Sequence, residues 1–232
     1  MNGLSIRADG APCGRVLALP AAIWNFEMDL QLKDRVAVIL QAQSPLLDPV
    51  SAAFKAEGAH VEQIAGGHIA DELASVARRH GRCDIAISLL PDFPAASPAS
   101  PGWDEDLRSA WDHVGTTAEL FRACLPTMLQ ASWGRCLFIG RAEAKRITTR
   151  AGALERCVSL GILGVQKALS GEVGGGGVTC NSVLWEPADD PSEQAERIES
   201  AAAAATYLAS PVSDFVTGVV ITVDKGAPGG VF

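Results

Sequence analysis

The chain has 232 residues, 48% of them apolar and 20% charged, which suits a domain of the usual roughly 100–200 residues, or slightly more, and excludes a solvated, disordered chain. A formal net charge of -8 excludes a basic, phosphate-tracking nucleic-acid binder. No run of about 18 apolar residues occurs, so no membrane-spanning helix is expected, and Arg7, Asp9 and Arg15 interrupt the apolar stretches of Met1–Met28, which does not fit a signal peptide.

The elements become regular after about residue 30. Arg35–Leu40 is a short continuous apolar run, as in a strand buried on both faces. Pro49–Gly58 has helical patterning and ends in glycine. His60–Ala65 suits a second strand, and Ala70–His80 a helix whose basic last turn complements its dipole. Asp84–Leu90 is another buried strand. Prolines at 91, 94, 98 and 101 make the next segment a loop. Asp104–Ala131 is a long helix containing Pro126, followed by a strand at Arg135–Ile139 and a polar loop at Arg141–Gly152. Leu154–Val173 is a helix rich in small residues, stopped by Gly174–Gly177. Val178–Leu184 is a strand, Ser192–Leu208 a helix and Phe215–Val223 the last strand. Apolar strands alternating with helices predict an α/β fold, a Rossmann-type doubly wound parallel sheet with helices on both faces.

Six cysteines (Cys13, Cys83, Cys124, Cys136, Cys157 and Cys180) show no C-x-x-C spacing, so neither a zinc site nor a redox pair is expected. In apolar runs they read as buried hydrophobes of a reducing cytoplasm. The chain contains a single tyrosine, Tyr207.

From about Leu32 to Gly226 the sequence resembles the short-chain dehydrogenase/reductase family. The resemblance is carried in order by Lys33-Asp34-Arg35-Val36-Ala37-Val38, Ala56-Glu57-Gly58-Ala59-His60-Val61, His80-Gly81-Arg82-Cys83-Asp84-Ile85, Leu125-Pro126-Thr127-Met128, Trp133-Gly134-Arg135, Gly177–Val183, Tyr207–Pro211 and Thr217–Gly226. It implies an N-terminal extension over residues 1–30 and a dehydrogenase-like domain over 31–232. With 25 residues between Gly58 and Asp84, the domain is shortened by about one βα unit.

The family's chemical motifs are replaced. Its glycine-rich turn, whose backbone approaches the dinucleotide pyrophosphate at a helix N-terminus, reads Leu40-Gln41-Ala42-Gln43-Ser44-Pro45-Leu46-Leu47. Gln41, Pro45 and Leu47 fill the glycine positions. Pro45 removes an N–H donor, and Asp48 adds a carboxylate where phosphate would lie. Glu62 and His68, the available residues for a ribose contact, read as surface residues. Ser88-Leu89-Leu90-Pro91 stands for the fourth-strand motif, and Trp185-Glu186 for the turn after the sixth strand. The resemblance places the catalytic Asn at His113, the catalytic Ser near Arg141, and the Tyr and Lys of the acid/base pair at Glu155 and Ser159. Tyr207 belongs to the closing segment, far from the ligand edge, so no shift of register restores a tyrosine acid/base. The short Glu186–Pro191 linker leaves little substrate lid. Cys157 is the remaining candidate nucleophile, and Gly174–Gly177 follows a helix rather than preceding one, unlike a phosphate loop.

No catalytic, cofactor-binding or metal residue is therefore expected. The reading is a pseudoenzyme subunit that binds no cofactor itself and supports an active NAD-dependent homologue in a heterodimer or heterotetramer, with no nucleic-acid or membrane partner. The resemblance implies pairing through the helices at about Asp106–Leu129 and Leu154–Val173, a second contact through Ser192–Val223, and C-terminal residues Gly229–Phe232 reaching a neighbour. Heteromeric relatives of this kind include hydroxyacyl-CoA dehydrogenases of aromatic degradation, such as the anaerobic toluene (benzylsuccinate) route. Two alternatives stand beside it: an enzyme with a replaced site using His113 and Glu155, and a homodimeric ligand-binding or regulatory module.

Overall fold

The computed structural model describes residues 29–94, 96–145 and 152–226. The extension before residue 29 and the C-terminal Gly229–Phe232 lie outside these residues. Among the described residues six strands and five α-helices alternate: β1 Val36–Leu40, α1 Leu47–Ala56, β2 His60–Ile64, α2 Ile69–His80, β3 Ile85–Leu89, α3 Trp103–Gln130, β4 Gly134–Arg141, α4 Ala153–Val173, β5 Val178–Trp185, α5 Pro191–Ala209 and β6 Val220–Val223. Every strand pair is parallel, in the order β2-β1-β3-β4-β5-β6. The expected doubly wound sheet is thus present.

The continuous apolar runs form the inner strands because both faces are covered. On one face Ala37, Ile39, Ile87, Leu137 and Val183 pack with Val50 and Phe54 of α1 and Ala201, Ala205 and Leu208 of α5. On the other, Val36, Val38, Ala86 and Cys136 pack with Ile69 and Val76 of α2 and Leu120, Phe121 and Cys124 of α3. Phe138 and Leu184 meet Leu154, Val158 and Ile162 of α4. From β2 a single helix, α2, returns across β1 to β3. The sheet therefore ends at β2, with one helix between β2 and β3.

Polar residues set the lower ends of the strands. The buried Asp84 carboxylate accepts the Val36 N–H at 2.9 Å and pairs with Arg35 and Arg82. Arg135 is fully buried. Its guanidinium donates to the Gly134 carbonyl at 2.8 Å, to the Ser210 carbonyl at 3.3 Å and to Asp214. It also lies 4.2 Å from the Trp133 ring centre, with Arg35 at 3.8 Å from the same ring.

Two elements differ from expectation. The last strand begins at Val220, not Phe215. Before it, the Asn181 side chain takes part of the ladder's place: its amide donates to the Val216 carbonyl at 2.7 Å, and its oxygen accepts the Val219 N–H at 3.1 Å. Phe215 is left fully exposed. The Gly174–Gly177 stop forms a 3₁₀ turn over Gly174–Gly176. Gly177 then takes φ 78° against the Ser132 carbonyl, a place without room for a side chain.

Candidate functional site

In an open parallel sheet the ligand crevice lies at the carboxyl ends of the strands, where the strand order reverses. Here that point falls between β1 and β3. The loops that leave these two strands are bonded to each other: the Asp92 N–H donates to the Gln43 carbonyl at 2.9 Å. Leu46, in the β1–α1 turn, is 1% exposed and belongs to the core.

The start of α1 has little left for an anion. Pro45 and Pro49 carry no N–H. The Leu46 N–H donates to Ser44 Oγ at 3.4 Å, the Leu47 N–H to the Ser44 carbonyl at 3.2 Å and the Val50 N–H to the Leu46 carbonyl at 2.9 Å. The one charge in the first turn is the Asp48 carboxylate, which repels phosphate. This turn does not fit a dinucleotide pyrophosphate.

The loop after β2 is likewise committed to the protein itself. Glu72 of α2 accepts the N–H groups of Ala65 at 2.6 Å, Gly66 at 3.0 Å and His68 at 3.4 Å. His68 flanks the start of α2 and is exposed. Glu62 pairs with Arg79 at 2.6 Å and His80 at 2.7 Å. The hydrogen bonds from Arg79 and then His80 lower its pKa, as for a carboxylate in a surface ion pair.

Along β3, β4 and β5 the same edge is laced together. Arg141 donates to Asp92 at 2.9 Å and lies 4.8 Å from the ring centre of Trp185, which is 2% exposed. Ser88 and Thr117 share a 2.7 Å hydroxyl contact. Leu90, Ala110, Val114, Ala142 and Leu154 form an apolar cluster beside them, with Phe93 and Trp103 at its margin. Sequence reading does not find Asp92, Trp185 or Glu72 as the groups that occupy this edge. Each has an ordinary residue type with no motif spacing, and their roles come from contacts between separate loops.

The residues that the resemblance sets at catalytic positions, His113, Arg141, Glu155 and Ser159, lie on α3, at the end of β4 and on α4. His113 on α3 has its Nε2 buried without a partner. Burial lowers its pKa to about 4, against a hydrogen bond to the Leu89 backbone that raises it. The ring is therefore neutral near pH 7. The Glu155 carboxylate folds back over Gly152 at the start of its own helix. No hydrogen bond or ion pair joins it to His113 among the described residues. Arg141 is held by Asp92 and Trp185, and Ser159 is fully buried in α4. The two side chains are held in different surroundings, His113 against the Leu89 backbone and Glu155 over Gly152. Cys157 is half-buried. Tyr207 lies in the last turn of α5, packed on the core, and its carbonyl accepts the N–H and the hydroxyl of Ser210. Ser210 in turn meets Arg135 at the amino end of β4, so the single tyrosine sits at the opposite edge of the sheet. No cluster of three or more His, Cys, Asp or Glu side chains suited to a metal occurs among the described residues, nor any helix long and apolar enough to cross a membrane.

Large apolar side chains are exposed on α3 and α4, as well as at Val212 and Phe215 after α5. Trp111 of α3 and Leu160 of α4 are 46% and 45% exposed. The Trp111 ring rests over Gly161, where an added Cβ would meet it at 2.7 Å. Gly164 and Gly171 of α4 face open space, and Ala168 is exposed beside them. The α3–α4 pair therefore exposes small residues of α4 together with two large apolar side chains.

No protein-family model matches the chain. Among curated proteins it is similar to a (2S)-[(R)-hydroxy(phenyl)methyl]succinyl-CoA dehydrogenase subunit, BbsC, of Thauera aromatica, at 26% identity across 80% of this chain and 81% of that protein. The chain is thus a doubly wound parallel α/β protein similar, at 26% identity, to a protein named as a dehydrogenase subunit.

Proposed function

We propose that this chain is a non-catalytic subunit of a heteromeric dehydrogenase, a degenerate short-chain dehydrogenase that supports an active, NAD-binding homologue acting on a hydroxyacyl-CoA or a similar alcohol or ketone. The observation that carries this reading is the bond between the loops leaving β1 and β3, Asp92 to Gln43. It lies at the switch point, where a dinucleotide needs an open crevice. Pro45, Asp48 and the Arg141–Asp92 pair support it from either side. The relative's name supplies the subunit character and the CoA thioester substrate class. The α3–α4 surface supplies the place for a partner: small residues allow close helix approach, and Trp111 and Leu160 offer anchors.

Two measurements test it. Fluorescence titration of the isolated chain with NADH is expected to show no saturable binding, and micromolar affinity would end the proposal. Co-expression with a dehydrogenase homologue encoded beside it is expected to yield a complex whose partner is more stable than alone. A chain that purifies as a stable homodimer and ignores that homologue would favour the ligand-binding or regulatory alternative.

A further inference from the structure

We propose that Cys83 and Cys124 are an oxidisable dithiol that closes to a disulfide when a small two-electron oxidant such as hydrogen peroxide enters the groove between α2 and α3. Cys83 lies in the turn between α2 and β3, and Cys124 on the inner side of α3. Their sulfurs are 3.3 Å apart. A disulfide needs about 2.05 Å, so the sulfurs must approach by a little over ~1 Å, a movement of side-chain torsions. Both thiols line a groove of about 290 Å³. Its walls are largely small, with Ala70, Ala74 and Ala77 on α2 and Ala123 on α3, which leaves passage for a molecule of two heavy atoms. The groove lies on the α2 side of α3, away from the α4 side offered to a partner.

Cys83 is 9% exposed and Cys124 1%, so Cys83 reacts first. Its thiolate attacks one peroxide oxygen and the O–O bond breaks. This gives a sulfenic acid on Cys83 and a hydroxide that leaves as water with the thiol proton. The Cys124 sulfur then attacks the Cys83 sulfur, the S–O bond breaks, and a second water leaves with the Cys124 proton. Two thiols and one peroxide become one disulfide and two waters. The neighbouring Cys124 thiol, burial and the Asp84 charge hold the Cys83 thiol well above its usual range. The reaction is therefore slower than at the half-buried Cys157 and quickens with rising pH. Cys136 and Cys180 are fully buried behind the pair.

The cross-link would join the entrance of β3 to α3 across 41 residues, a long loop for the unfolded chain to close. The test uses the full chain, reduced, desalted and treated with hydrogen peroxide, then unfolded, alkylated and digested without reductant. Mass spectrometry is expected to find the Cys83 and Cys124 peptides joined, two hydrogens lighter than their sum. A rise in melting temperature that a thiol reductant reverses is also expected. Cys124→Ser is expected to remove both effects, and if that variant does not fold the wild-type peptide map decides alone. Full alkylation of Cys83 and Cys124 after peroxide treatment continued well beyond the oxidation of Cys157, or a cross-link between any other pair, would overturn the proposal.

Discussion

At the scale of single residues, the polar groups that matter are those the fold has taken out of water. His113 carries an imidazole whose pKa falls from an ordinary 6.5 to about 4 on folding, because burial disfavours the cation. Between these values the unfolded chain binds more protons than the folded one, so stability rises with pH across this window and is lost as pH falls. The loss from pH 7 to pH 5 is expected to be about 2 kcal/mol by this linkage. Urea unfolding of wild type and His113→Gln at the two pH values measures it, and an equal pH slope in both would exclude His113 as the source. Arg135 poses the complementary case, a buried cation kept charged by two carbonyls and Asp214. Because Asp214 is 48% exposed, water replaces part of what it supplies. Asp214→Asn is expected to cost about 1–2 kcal/mol rather than the full cost of an unpaired buried charge. A shift in the denaturant midpoint reads it.

At the scale of elements, helix α4 separates stability from assembly. Gly164 sits inside the helix with open space around it. In the lone chain Gly164→Ala is expected to gain roughly 0.5–1 kcal/mol from helix propensity. Gly164→Leu adds a side chain that a closely packed neighbour has no room for. It is expected to leave the lone chain's fold and melting temperature intact but to abolish co-purification with the homologue. Retained pairing in that variant would move the contact elsewhere. Element existence was legible from hydrophobic runs and glycine stops, since both act within a few residues of sequence. The start of β6 was not legible. Phe215–Val223 has the composition of one strand, but the side-chain amide of Asn181 takes part of the ladder's place at Val216 and Val219, and the strand begins at Val220.

At the scale of the whole molecule, contacts between loops, Asp92 to Gln43 and Arg141 to Asp92, bridge the carboxyl ends of the strands beside the β1 turn. Restoring the turn glycines with Gln41→Gly, Pro45→Gly and Leu47→Gly together is therefore expected not to confer NADH binding. The triple variant is expected to lose about 2 kcal/mol, from added chain entropy and the loss of the half-buried Leu47 side chain. NADH fluorescence and urea unfolding check the two parts. Saturable binding would show that the turn was the single obstacle and that the Asp92–Gln43 closure gives way.

The sequence by itself determined the alternation of buried strands and helices, the parallel sheet and the single helix between β2 and β3, because burial on both faces leaves an unbroken apolar run and a unit needs a minimum length. The resemblance to short-chain dehydrogenases also implies that their glycine-rich turn and tyrosine–lysine pair have no counterpart here. Tertiary structure alone decided what stands in their place. His113 and Glu155 are neighbours in the resemblance, but the fold buries one ring against the Leu89 backbone and turns the other side chain back over Gly152. Asp92 meets Gln43 across the switch point and Arg141 across the strand ends. Such contacts join residues some fifty positions apart, a separation that local patterning does not encode and that the packing of the sheet brings to hydrogen-bond range.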